Sequence, residues 1–149
     1  MIKQNIQLLK EGREQAVRTG RNVLVSSVQV CRTTDLPAFF SFQSARFAGN
    51  RFFWSDPGRE LAFVGLGSAL TIEADDPERR FQQVEQKWKE IAQTCLADSD
   101  IPEYTGPVLF GGFSFDPLKE KTGLWAKFSG ALFHIPKYML TIVKGEAYF

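Results

Sequence analysis

Two aromatic runs in this sequence end at the same kind of stop. Residues 52–57 read FFWSDP, and residues 106–117 read GPVLFGGFSFDP. Proline removes a backbone donor and pushes the residue before it toward extended geometry, so Asp56 and Asp116 mark strand exits. Inside the second run, Gly111 and Gly112 interrupt an apolar strand. Glycine weakens a strand there unless a bulge or a close backbone approach requires it. Both glycines are therefore expected to serve packing, and a side chain at either one should crowd a neighbour.

The rest of the chain reads as a mixture of α and β. Ile2, Ile6, Leu9, Ala16 and Val17 recur at helical spacing and predict an amphipathic helix over residues 2–19, stopped at Gly20. Residues 22–32 are rich in valine and predict a strand whose alternation slips at Ser26 and Ser27, the mark of a bulge or an edge. Asp35 can cap a short helix reaching Arg46, with Leu36, Phe39, Phe40 and Phe47 turned inward. Residues 50–55, 60–65 and 69–74 follow as three short strands joined by tight turns. Asp76 and Pro77 open a second long helix, in which Phe81, Val84, Trp88, Ile91 and Cys95 form one apolar stripe. After a polar loop over residues 98–105, strands are expected at 107–116, 131–135 and 138–144. The loop between the first two is expected to be pinned by Trp125 and Phe128.

The chain then turns at Lys144 and Gly145 into a strand over residues 147–149, shorter than the usual ~5–6 residues. This predicts a fragment whose C-terminal hairpin has an unpaired edge and exposed apolar side chains. Self-association through the residues after Ile135 would follow.

Composition narrows the function classes. A chain of 149 residues, 44% of them apolar, fits one globular domain, and no apolar run approaches a membrane span. The polar, amphipathic N-terminus is not a secretory signal. Cys31 and Cys95 lie far apart without a CxxC spacing, which predicts reduced, buried thiols in a cytoplasmic protein. A net charge of +1 supplies no field for nucleic acid.

Catalytic constellations are scarce. His134 is the single histidine, so a multi-histidine metal site is excluded, and its alternation with Phe133 and Ile135 predicts a half-buried structural role. Ser114 lies in GFSFD, not in a GxSxG nucleophile elbow. Gly65 and Gly67 lack the Lys-Ser/Thr pair of a phosphate loop and read as a turn. Asp75, Asp76 and Glu78 read as helix-capping residues. Asp56, Glu60 and Asp116 could ligate a hard cation, but turn capping accounts for them more simply. The aromatics Phe52, Phe53, Trp54, Phe110, Phe113 and Phe115 lack a basic stripe beside them, so core packing is expected rather than base stacking.

One resemblance draws these segments together. FFWSDP, then ELAFVGLG, GPVLFGGFSFDP, the segment 125–128 and IPKYMLT occur in this order between residues 39 and 141. The series is similar to the N-terminal part of isochorismate synthases of the menaquinone type. These belong to the chorismate-binding enzymes, with anthranilate and aminodeoxychorismate synthases. The resemblance implies an α+β fold of largely antiparallel sheets flanked by two or three helices, about half of the family's layered α/β architecture. It implies a magnesium-dependent isomerase converting chorismate to isochorismate, in which a lysine activates water and a glutamic acid assists departure of a hydroxyl.

The motifs that carry those groups lie downstream of this region in the family, and none occurs here. Lys137 and Lys144 do not match the motif of the catalytic lysine. No catalytic, cofactor-binding or metal residue therefore transfers to any position, and magnesium is expected in the whole enzyme, not in this part. The implied partner is the catalytic C-terminal part of the same protein, with chorismate as substrate of the whole. Two other readings stay open: a free-standing non-catalytic binding module, and another chorismate enzyme, a siderophore-type isochorismate synthase or a salicylate synthase.

Overall fold

The computed structural model describes residues 2–32, 35–42, 44–58, 60–97, 102–119 and 122–149. The side chain of Ile2, residues 98–101 of the polar loop and residues 120–121 of the long loop lie outside the described residues.

Helix α1 covers Ile2–Thr19 and ends as expected at Gly20, whose φ of +66° is open to glycine and whose N–H reaches the Ala16 carbonyl at 2.9 Å. The covered face differs from the apolar stripe. Gly12 is buried and so close to Val25 that a Cβ there would lie 2.5 Å from its Cγ2, whereas Ile6, Leu9 and Val17 are exposed.

The strand expected over 22–32 is two strands in different sheets. β1, Val25–Ser26, and β2, Val30–Cys31, are separated by the slip at Ser27, where the chain crosses from one sheet to another. Helix α2 spans only Leu36–Ser41, capped by Asp35 Oδ1 accepting from the Ala38 N–H at 2.9 Å. The chain turns before Arg46 because the Phe42 N–H folds back to the Phe39 carbonyl.

β3 (Arg51–Ser55), β4 (Leu61–Leu66) and β5 (Leu70–Ala74) follow the sequence reading closely. Helix α3, Arg80–Thr94, starts a turn later than expected. Asp76 Oδ1 accepts at 3.0 Å from the N–H groups of Glu78 and Arg79, so it caps the turn leading in, not the helix itself. β6, Leu96–Ala97, pairs in parallel with β1. β7 is confined to Phe110–Phe113, shorter than the expected 107–116. β8 (Ala131–Ile135), β9 (Tyr138–Val143) and β10 (Glu146–Tyr148) follow.

These elements stack as helix, sheet, sheet, helix. The antiparallel order β2-β10-β9-β4-β3 makes the larger sheet, and β5-β8-β7 makes a three-stranded antiparallel sheet. The α+β class and layered architecture expected from the resemblance hold. Leu36 and Phe39 of α2 pack on Ala62, Leu140, Ile142 and Ala147 of the larger sheet, while Val84, Trp88 and Ile91 of α3 pack on Ile72, Ala74 and Ala131 of the smaller. β4 lies between β9 and β3 and is buried from Ala62 to Leu66, which explains its uninterrupted apolar run.

The C-terminal hairpin corrects the sequence reading. β10 is paired on both sides, to β9 and to β2, so its edge is not free. Leu140, Ile142 and Ala147 are buried, and the exposed surface expected to drive self-association is absent from them. Tyr138 and Phe149 remain partly exposed, stacked on each other at 6.3 Å.

Candidate functional site

β7 and β8 carry α3 on one face through Ala131 and Phe133; the opposite face, bearing Phe110, Leu132 and His134, is only half covered. Phe52 reaches over from β3 to stack on Phe110, with ring centroids 5.3 Å apart, and lies 5.5 Å from the His134 ring. Beyond these rings the sheet opens into a cleft of about 730 Å³. Gly112, Leu132 and His134 line it from the sheet, and Phe113, Trp125 and Phe128 line it from the rim. A smaller cavity of about 280 Å³ lies by the chain crossing at residues 24–29, among backbone groups and residues 136–139. The larger cleft is the better candidate because aromatic walls and a few convergent polar groups mark ligand sites.

The two adjacent glycines play opposite parts. A Cβ on Gly111 would lie 2.0 Å from the Leu132 carbonyl oxygen, so β7 and β8 approach through that hydrogen. A Cβ on Gly112 would meet nothing within 4 Å, which corrects the expectation that both glycines relieve crowding. Gly112 keeps the cleft hollow instead.

The aromatic residues divide in the same way. Phe52, Phe63 and Phe110 fill the space between the sheets, but Phe53, Trp54, Phe113 and Phe115 are exposed. Core packing is thus correct for part of the set only. Trp125 and Phe128 do not pin their loop into the core. They pack on each other at 5.6 Å and both stay exposed.

The polar residues weighed from the sequence are mostly engaged locally. His134 is half-buried, its Nδ1 within 3.0 Å of Thr71 Oγ1 and 3.3 Å of Ser68 Oγ, as a structural histidine would be. Asp56 Oδ1 accepts from the Leu61 N–H at 3.1 Å, and Asp116 Oδ1 accepts from the Leu118 N–H at 2.9 Å. Asp75 Oδ1 accepts from the Gly130 N–H at 2.7 Å. Glu60 offers its backbone carbonyl to the Lys144 N–H. Hydrogen bonding from the Arg79 amide, and then from its guanidinium, holds the Asp76 carboxyl below its ordinary value. Gly67 has a φ of +68° and receives the Lys137 N–H on its carbonyl, so it is a turn residue as expected, whereas Gly65 lies inside β4, paired with Phe52 and Met139, where a Cβ would crowd Pro136. Both cysteines are free and only half-buried, and desolvation pushes the Cys95 thiol up.

One group has no counterpart in the sequence reading. Arg80 is 5% exposed, and no carboxylate pairs with it among the described residues. Its Nε is buried without a partner, while one terminal nitrogen donates to Ser114 Oγ at 3.2 Å. Beside Arg79 at the start of a helix, it carries no local signal that sets it apart from a solvated charge.

Against known proteins, residues 11–149 match the family described as chorismate binding enzyme. The chain is 37% identical over 125 residues to the isochorismate synthase MenF of Bacillus subtilis, covering 80% of this chain and 26% of that protein. It is 35% identical over 79 residues to the salicylate biosynthesis isochorismate synthase of Pseudomonas aeruginosa, covering 53% of this chain and 15% of that protein. No solved structure matches. The chain belongs to the chorismate-binding enzyme family. It spans about a quarter or less of the length of these relatives. Among the described residues, no helix is long and apolar enough to cross a membrane.

Proposed function

We propose that this chain forms the N-terminal part of an isochorismate synthase, the isomerase that converts chorismate to isochorismate, acting in the cytoplasm in menaquinone synthesis. The observation that carries this reading is the 37% identity to the Bacillus subtilis isochorismate synthase over 125 residues. The shorter match to the Pseudomonas aeruginosa protein gives less support to a siderophore-type enzyme.

In this reading the layered domain supports and covers a catalytic part that follows in the same protein. The base that activates water and the acid that assists the leaving hydroxyl both come from that part. Magnesium would neutralise substrate carboxylates there. The residues described here do not fit a magnesium site: no three His, Cys, Asp or Glu side chains gather among them, and Asp56 and Asp116 each spend an oxygen on a nearby amide.

The test is direct. The purified 149-residue chain, given chorismate and magnesium, is expected to form no isochorismate above background. The same chain continued through its downstream coding sequence is expected to form it. Chelator-sensitive turnover by the short chain would overturn the assignment of acid and base to another part. A long chain inactive on chorismate would overturn the enzyme reading.

A further inference from the structure

The observation that calls for an explanation is Arg80. A guanidinium has five N–H donors and stays charged at any ordinary pH. Burying it is costly unless a counter-charge and acceptors replace the lost water. Here the side chain is 5% exposed, its Nε has no acceptor, and its one side-chain hydrogen bond is to a neutral hydroxyl. The guanidinium also lies 5.0 Å from the Phe81 ring, and Phe81 packs on Phe113 at 4.2 Å. The cation does not line the cleft itself but lies behind Ser114 and Phe113, which do.

Arginine only donates, so Ser114 Oγ accepts and its own hydrogen remains to be given away. The Ser114 N–H is spent on the Gly130 carbonyl at 2.8 Å, which holds the residue at the cleft margin. A hydroxyl donor with a buried cation behind it favours an acceptor that carries negative charge. The same cleft is lined by Trp125 and Phe128, whose exposed rings suit an apolar body, by Asp116, whose Oδ1 is spent on the Leu118 N–H, by Lys119, and by Gly112, where a side chain would meet open space.

We propose that this corner of the cleft binds a small carboxylate carried on an aromatic ring. The Ser114 hydroxyl donates to a carboxylate oxygen, Arg80 supplies the balancing charge from behind, and the rim aromatics hold the ring. This site is independent of chorismate turnover, and its test reads binding alone.

Benzoate is the probe, with benzamide as its neutral counterpart and acetate as a carboxylate without a ring. Each is titrated into the 149-residue chain while the Ser114 amide and the Trp125 indole are followed by NMR. Benzoate is expected to shift both signals saturably and to bind on the order of tenfold tighter than benzamide or acetate, as a charge-assisted hydrogen bond and ring burial predict. Ser114→Ala is expected to reduce benzoate to the level of benzamide, and Ser114→Thr to keep the preference. Arg80→Gln, where it folds, is expected to abolish the preference as well. Equal binding of benzoate and benzamide would overturn the proposal, as would acetate binding as well as benzoate. Undiminished benzoate binding by Ser114→Ala would do the same.

Discussion

The hairpin of β9 and β10 and the segment from Phe113 to Phe128 are both crowded with large apolar side chains, and they end in opposite surroundings. In the hairpin, Leu140, Ile142 and Ala147 are sealed between strands and under α2. In the segment, Phe115, Leu118, Leu124 and Trp125 stand largely in solvent. The difference lies in backbone pairing. Each hairpin strand has a partner on both sides, so its side chains inherit a closely packed face. β7 is an edge strand that stops at Phe113, and past it the chain has no ladder to hold its side chains against a layer.

The contrast can be broken by mutation, and the largest effect belongs in the hairpin. Leu140 is 0% exposed, so Leu140→Ala is expected to cost ~2–5 kcal/mol in denaturant unfolding. A loss within ~0.5 kcal/mol would show that the larger sheet is not the packed region. Next comes Gly111→Ala, which places a carbon on the Leu132 carbonyl and should cost ~3 kcal/mol or separate β7 from β8. Hydrogen exchange at the β7–β8 ladder would register that separation. Thr141 is 1% exposed, and its hydroxyl has no partner. Thr141→Val is therefore expected to be neutral or stabilising by ~1 kcal/mol, because it removes an unsatisfied polar atom at nearly constant shape. The smallest effects are expected at Leu124→Ala, where the side chain is 90% exposed, and at Gly112→Ala, which meets open space. Both should stay within ~0.5 kcal/mol in the same assay.

Acid should act on the turn before α3 as well as on the Glu85–Lys89 pair, which also holds a carboxyl below its ordinary value. The folded-state carboxyl of Asp76 is held below its ordinary value, chiefly by the Arg79 amide. Its contribution is present above the unfolded pKa of 3.8 and fades as pH falls through the lower folded value. Asp76→Asn should therefore flatten the acid limb of the stability profile, measured as urea midpoint against pH. An unchanged limb would remove the turn from the account.

The elements most legible in the sequence were those that local chemistry marks, even where the partner is distant, as for β5, which pairs with β8. β3, β4 and β5, the β9–β10 turn and the Gly20 stop all rest on local chemistry, namely alternation, Asp-Pro exits and positive φ. The division of residues 22–32 was not legible, because β1 is defined by Leu96 and Ala97, and β2 by Ala147 and Tyr148. No local pattern announces such distant partners. The late start of α3 reflects a further ambiguity, since an aspartate before proline suits a helix cap and a preceding turn equally. At the candidate site, the half-buried placement of His134 held because alternation alone sets the side of a strand. Arg80 escaped notice because its burial depends on Phe81, Phe113 and Ser114 closing around it, a property of the assembled layers.

The pairing of Cys31 with Ala147 bears on how the chain reaches its fold. β2 joins the ladder of the larger sheet through β10, a separation on the order of a hundred residues, and such distant contacts slow folding because loop closure comes before any gain. As the chain emerges from the ribosome, β2 must wait with an open edge until β10 arrives. β9 and β4 can meet before then, so assembly should proceed from the middle of the larger sheet outward, with the early strand docking last. During that interval the unpaired β2 and β9 edges are the surfaces most open to pairing with the wrong chain.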